Sequence, residues 1–186
     1  MSGLSIRNAM ALALICAWTI TTVACSFTPS DSLRAMGPAR GLNAFMGVHF
    51  GASLEQVERR FPAGVPQTSP YGAPAYEVEH VSSGSVDYQD VVYEFTDKSG
   101  MQMAIAHFSP SECADVYQQL QTSFGAPSSA AATGEGPANI EASWLMPDGS
   151  SVMFSGPMHR LVLLGKDGGS LKVDIQLRDS GVPVAS

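Results

Sequence analysis

The hydrophobic positions of this chain change period along its length. Ala9 to Ala24 is uncharged and mainly apolar. From Met46 onward the apolar residues come in short groups. Met46–Phe50, set between glycines, predicts a strand, whereas Leu54, Val57 and Phe61 recur at helical spacing. Ser53 precedes that helix and Gln56 follows three residues later, which is a capping-box pattern. Pro62 stops the helix. Alternation then predicts strands at Ala75–Val81, Val86–Thr96 and Met101–Phe108, with Asp97-Lys98-Ser99-Gly100 as the turn joining the last two. Ser109-Pro110-Ser111-Glu112 opens a second helix, with Ser as N-cap, Pro at the first position and Glu at the third. Cys113, Val116, Tyr117, Leu120 and Phe124 form its apolar stripe, and Gly125 ends it. Further strands are predicted at Ile140–Met146, Val152–Phe154, Arg160–Leu164 and Leu171–Arg178. Asp148-Gly149 and Asp167-Gly168-Gly169 are hairpin signals between them. In the last strand Leu171, Val173, Ile175 and Leu177 alternate with Lys172, Asp174, Gln176 and Arg178, giving one dry and one wet face. Pro62–Pro74 and Gly125–Asn139 are rich in Pro, Gly and small residues and read as long loops.

The order helix-then-meander occurs twice. Ser53…Phe61-Pro-Ala-Gly is echoed by Ser109…Phe124-Gly-Ala-Pro. The expected class is α+β: two helix-plus-antiparallel-meander units, with the helices packed on one face of antiparallel sheet. A single domain is expected over 45–180, as a possible tandem repeat of 45–108 and 109–180, with 181–186 as a tail. The common grammar of small α+β domains accounts for the echo as well as duplication does.

The N-terminal apolar run is short for a membrane span, which needs roughly 20 apolar residues, and suits the core of a signal peptide over residues 1–24. It ends in Thr22-Val23-Ala24-Cys25. This resembles the lipobox of bacterial lipoproteins, with Thr22 where that pattern usually has Leu. The resemblance implies lipid on Cys25, and Ser26 after it implies sorting to the periplasmic face of the outer membrane. Ordinary secretion by cleavage at the same bond, and an uncleaved anchor, are the alternative readings. The cysteine count fits lipidation. Cys16 leaves with the signal, Cys25 is modified, and Cys113 stands alone, which suits an oxidising compartment. Residues 25–44, with Pro29, Gly37, Pro38 and Gly41, then read as a lipidated N-terminus and flexible tether.

Gly47-Val-His-Phe-Gly-Ala-Ser-Leu-Glu-Gln-Val57, followed by a short helix and a Gly/Pro stop, is similar to the opening of the small outer-membrane lipoprotein family that includes the barrel-assembly component E. The doubled helix-plus-sheet order resembles the β-lactamase-inhibitor-protein family. Both resemblances imply a non-enzymatic protein that binds another protein; neither transfers a contact residue.

Composition narrows the chemistry. The net charge is −7, and removing residues 1–24 takes away only one basic side chain, Arg7. Nucleic acid is a poor partner for such a chain, because phosphate binding needs clustered positive charge. Gly-x-Ser-x-Gly is absent, and a hydrolase would need a nucleophile, base and orienting group. Cys113 lies on a helix stripe and reads as core, although a helix N-terminus can activate a thiol. His49, His80, His107 and His159 show no metal-ligand spacing. Met101, Met103 and Ile105 alternate onto one strand face and read as packing rather than soft metal ligands. No metal or cofactor is expected. For binding, Tyr88, Asp90, Val92 and Glu94 alternate away from Val91, Tyr93 and Phe95. If the latter face the helices, Tyr88 and Val92 stand on an open sheet face, where Tyr71 and Trp144 join them as partner anchors. The sequence therefore predicts a non-catalytic envelope lipoprotein that binds a protein partner or envelope component. A periplasmic small-ligand or metal-binding protein is the alternative, with a hydrolase more remote. Labelling with a radioactive fatty acid tests the anchor: label is expected in the native chain and lost in Cys25→Ser, and label that persists in the variant defeats the lipobox reading.

Overall fold

The computed structural model describes residues 41–69 and 72–168. Cys25, Tyr71 and the expected strand Leu171–Arg178 lie outside them. A two-strand hairpin comes first, β1 (Ala44–Phe45) and β2 (Val48–His49). Its turn residues Met46 and Gly47 both have positive φ, 52° and 71°, the backbone a tight two-residue hairpin requires. Within the stretch 25–44 expected as a tether, Leu42 and Ala44 are buried, and the Leu42 N–H donates to Ser150 Oγ at 2.9 Å.

Helix α1 (Leu54–Arg60) starts as its sequence requires. Ser53 Oγ accepts from the Gln56 N–H and the Gln56 side chain accepts from the Ser53 N–H. Strands β3 (Val65–Thr68), β4 (Pro74–Ser83), β5 (Val86–Thr96) and β6 (Gly100–Phe108) follow. A 3-10 turn over Pro110–Glu112 leads into α2 (Cys113–Phe124). Ser109 does not cap it through its side chain; its hydroxyl pairs with Ser111 at 2.6 Å. Then come β7 (Ser129–Ala132), β8 (Ile140–Leu145), β9 (Ser151–Ser155) and β10 (Arg160–Leu164). The fold is thus mostly antiparallel sheet with two helices among the described residues. No described helix is long and apolar enough to cross a membrane.

Strands β3–β10 form one antiparallel sheet in the order β3-β4-β5-β6-β10-β9-β8-β7. The two expected loops contain its edges. β3 lies inside Pro62–Pro74 and β7 inside Gly125–Asn139. An edge strand tolerates Pro66 and a run of small residues, because one side of it makes no ladder bonds. Strand β10 is interior, paired on one side with β6 and on the other with β9.

Register places Tyr76, Tyr93, Ala104, Leu163, Val152 and Trp144 in one row across the sheet. Val78, Val91, Ala106, Leu161, Phe154 and Ala142 form the next. All belong to the main buried cluster, together with Val57 and Phe61 of the first helical segment and Cys113, Val116, Leu120 and Phe124 of α2. Phe61 stacks on Tyr93 with centroids 5.8 Å apart, and Tyr117 sits 5.3 Å from Phe154 and 6.1 Å from Trp144. The indole N–H of Trp144 donates to the Gly125 carbonyl at 2.9 Å, tying the end of α2 to β8.

The hairpin is held from α1. Arg60 Nε donates to the Met46 carbonyl at 2.8 Å, and a Cβ on Gly47 would collide with the Arg60 guanidinium. Gly136 also has positive φ, 78°, but open space around it. Gly136→Ala therefore carries backbone strain alone, about 1 kcal/mol, whereas Gly47→Ala adds displacement of Arg60 and costs roughly 1 kcal/mol more. Urea unfolding of both variants checks the difference; equal losses would show that Arg60 does not hold the turn.

Candidate functional site

The opposite face of the sheet carries the residues left over by the core. Three rows cross it. The first is Ala75, Glu94, Met103, Leu164 and Ser151. The second is Glu77, Val92, Ile105, Val162, Met153 and Ser143. The third is Glu79, Asp90, His107, Arg160, Ser155 and Glu141. Ala75, Val92, Met103, Ile105, Val162 and Leu164 form a second buried cluster, with Met153 packed at its margin.

Past Met153 the rows become small and polar. There a cleft of about 420 Å³ opens over β7–β10, lined among others by Glu141, Ser143, Met153, Ser155, Met158 and Arg160. Met158, on the turn between β9 and β10, is 52% exposed. Along the third row His107 Nδ1 lies 2.7 Å from Asp90 Oδ1, next to Arg160 on the neighbouring strand. The face thus offers an apolar centre, a charged row and an open cleft with two thioethers.

Glu94 is the chemical surprise of this face. It is fully buried, and neither carboxylate oxygen makes a well-formed hydrogen bond. Burial pushes its carboxyl up to about 7, and the Ser69 hydroxyl pulls weakly the other way. The sequence marks Glu94 only as one polar residue in an alternating strand, so its burial has no local signal.

The expected anchors do not gather on this face. Tyr88 and Trp144 are each 2% exposed and lie in the main core. Tyr88 packs edge-on against Phe45 and Phe108. The parity error has a physical cause. The β5–β6 register shifts between Tyr88 and Asp90, so Gln89 is an extra residue in β5 and everything before it swaps face. Val92 is on the outer face, but buried there. A second shift between Glu94 and Phe95 makes Gln102 the extra residue in β6. Met101 therefore lies in the main core and Met103 in the outer cluster, not on one face as their spacing suggests. Met153 and Met158 were not anticipated as surface groups. The signal for Met153 is present, since Val152-Met153-Phe154 puts apolar residues on both faces of one strand.

Cys113 is buried, its thiol 3.8 Å from the Gly156 carbonyl, and burial pushes its pKa up. Its position at the start of α2 does not activate it. Among the described residues no group of three or more His, Cys, Asp or Glu side chains could hold a metal ion.

No protein-family model, curated protein or solved structure matches this chain.

The Glu94 carboxyl gives stability a definite pH dependence. The folded state keeps its proton to about pH 7, whereas an ordinary Glu loses it near 4.5. Between those values the unfolded chain holds fewer protons, so this group's contribution to stability falls as pH rises. Above the upper value the loss is complete. Glu94→Gln should remove that slope and unfold later than the parent at pH 8, by on the order of 1–2 kcal/mol. Urea midpoints at pH 5 and pH 8 measure it; a parent more stable than the variant at pH 8 would show that the carboxylate is paired.

Proposed function

We propose that this protein is a non-catalytic lipoprotein of the bacterial envelope. Lipid on Cys25 holds it at the periplasmic face of the outer membrane, and the outer face of β7–β9 grips a protein partner. In this reading the two helices cover the inner face of the sheet and leave the other face for binding. The observation that carries the reading is the cleft beside Met153 and Met158. Methionines, here the exposed Met158 and the half-buried Met153, adapt their shape to a partner surface, and Met and Arg are enriched at interface centres. Leu145, at the end of β8, is 60% exposed and widens the apolar area on the same strands. Glu141 and Arg160 at the cleft supply charges of both signs for orientation.

The volume of the cleft also favours a second reading, a small organic ligand, because such sites run from about 300 to 1,000 Å³. The two separate experimentally. A photo-crosslinking residue at Met158, in cells, should capture a discrete protein, and the same probe at Glu58 on α1 should not. Met158→Asp should lower recovery of that partner about tenfold, as loss of a central contact does. Equal capture from both positions, or none from Met158, would remove the cleft from the partner site. A small molecule released on denaturing the purified protein, and missing from Met158→Asp, would instead establish the ligand reading.

A further inference from the structure

The two edges of the sheet are not alike. Among the described residues β3 pairs only with β4, and β7 only with β8. In an antiparallel ladder alternate residues turn both main-chain groups toward the partner strand, and those between turn theirs away. At β3 the Ser69 N–H donates to the Ala73 carbonyl at 2.9 Å, one step beyond the pair Thr68–Pro74. Ser69, Gln67 and Val65 therefore bond toward β4, and Pro66 and Thr68 point outward. Proline has no N–H, so this edge lacks a donor and carries a ring where another strand would dock.

At β7 the Thr133 N–H donates to the Asn139 carbonyl at 2.9 Å, one step beyond the pair Ala132–Ile140. Thr133, Ala131 and Ser129 therefore bond toward β8, and Ala130 and Ala132 turn their N–H and C=O groups outward. All four residues of β7 are exposed. None brings a charge or a proline ring, and the register is unbroken, so the usual guards of an open edge are missing. Ser129 and Ala131 share the outer face with Ser143 and Glu141, and both line the cleft.

We propose that β7 is an acceptor edge, where an extended, basic segment of the partner polypeptide adds a further strand to the eight-stranded sheet. This deepens the partner reading and rests on it. Main-chain bonds at Ala130 and Ala132 hold the segment, and every second side chain lands on the outer face beside Ser129 and Ala131. Those small side chains make a low wall. A Lys or Arg passing over Ala131 meets the exposed Glu141 two strand spacings away, about 10 Å. Charge favours this occupant. Between Lys98 and Arg160 the sequence has no Lys or Arg but five carboxylates, Glu112, Asp115, Glu135, Glu141 and Asp148. That stretch includes all of β7 and β8. A second copy would bring the same five carboxylates to the junction, where like charges repel.

Amide hydrogen exchange tests the edge in the mature chain with Cys25→Ser. Two synthetic probes are used, a peptide of alternating Lys and Val and its Glu and Val counterpart. In the free chain the amides of Ala130 and Ala132 should exchange fast and that of Ala131 slowly. The basic peptide should slow the first two at least about tenfold, and should bind at least about tenfold more tightly than the acidic one. Ala130→Pro with Ala132→Pro removes the outward donors and spares the ladder bonds to β8, as Pro66 does at β3. It should weaken binding of the basic peptide about tenfold, as loss of two hydrogen bonds does, with Ala131 still protected as the sign of an intact fold. Exchange in the unaltered chain decides the matter if that variant does not fold. Ala130 and Ala132 already protected in the free chain would overturn the proposal. Protection independent of protein concentration would give the edge to another segment of the same chain, and protection that grows with concentration to a second copy. Binding that survives both prolines is general charge attraction and overturns it as well, and equal binding of the acidic peptide removes the basic partner. The edge and the partner reading fail separately in cells. Capture from Met158 undiminished by the two prolines overturns the edge alone, whereas no capture from Met158 in the parent removes the partner reading and the edge with it.

Discussion

The antiparallel pairing of β6 with β10 is the constraint on which the rest of this fold depends. Each strand ends a run of antiparallel neighbours, β3 to β6 and β7 to β10, and their five paired positions turn two meanders into one sheet. The inner positions of the seam match in size. Ala104 and Ala106 on β6 face Leu163 and Leu161 on β10. Small residues on one strand leave room for the aromatic groups that converge over it. Phe108 and Phe154 stack there with centroids 5.8 Å apart. A sheet joined at its centre buries the strands with the most apolar residues and pushes the least apolar, β3 and β7, to the edges, where polar and small residues cost little.

Much of that plan was legible in the sequence because it is written in local signals. The Ser53–Gln56 cap, the stripe on α2, the turn at Asp148-Gly149 and the continuous apolar run Leu161–Leu164 each follow from residues within one or two turns of each other. The edges were not legible. Val65-Pro66-Gln67-Thr68 and Ser129-Ala130-Ala131-Ala132 have no apolar alternation, because neither strand presents a row of large side chains to the core. Their place is decided by ladder bonds to β4 and β8, which leave no mark on composition.

Tyr88 lies on the inner face for a different reason. Period-two reasoning carries a face assignment along a strand only while the ladder stays regular. Gln89 and Gln102 interrupt it, and neither side chain announces a bulge. At Gln102 the interruption has a use. Its carbonyl accepts the Gly165 N–H at 2.8 Å, and its side chain donates to the Ser99 carbonyl at 2.7 Å. The irregular ladder thereby ties the β5–β6 turn to the end of β10. Tyr88, carried inward by the other bulge, becomes the aromatic link between Phe45 on the N-terminal hairpin and Phe108 on β6. A residue suited to recognition by type is held by geometry as part of the core.

The two halves of the sheet match in topology and differ in chemistry, and the difference lies wholly on the outer face. Across the middle row, Val92, Ile105 and Val162 give way at Met153 to Ser143 and Ser129. The inner rows show no such break, running from Tyr76 to Trp144 and from Val78 to Ala142 through buried apolar residues. Core packing therefore does not account for the serines. Small polar side chains over β7–β9 leave a hollow that larger ones would fill, and Met153 stands where the dry part of the face meets it. The same boundary separates the carboxyl of Glu94, buried in the apolar half, from that of Glu141, exposed in the other. One face of one sheet thus holds two environments.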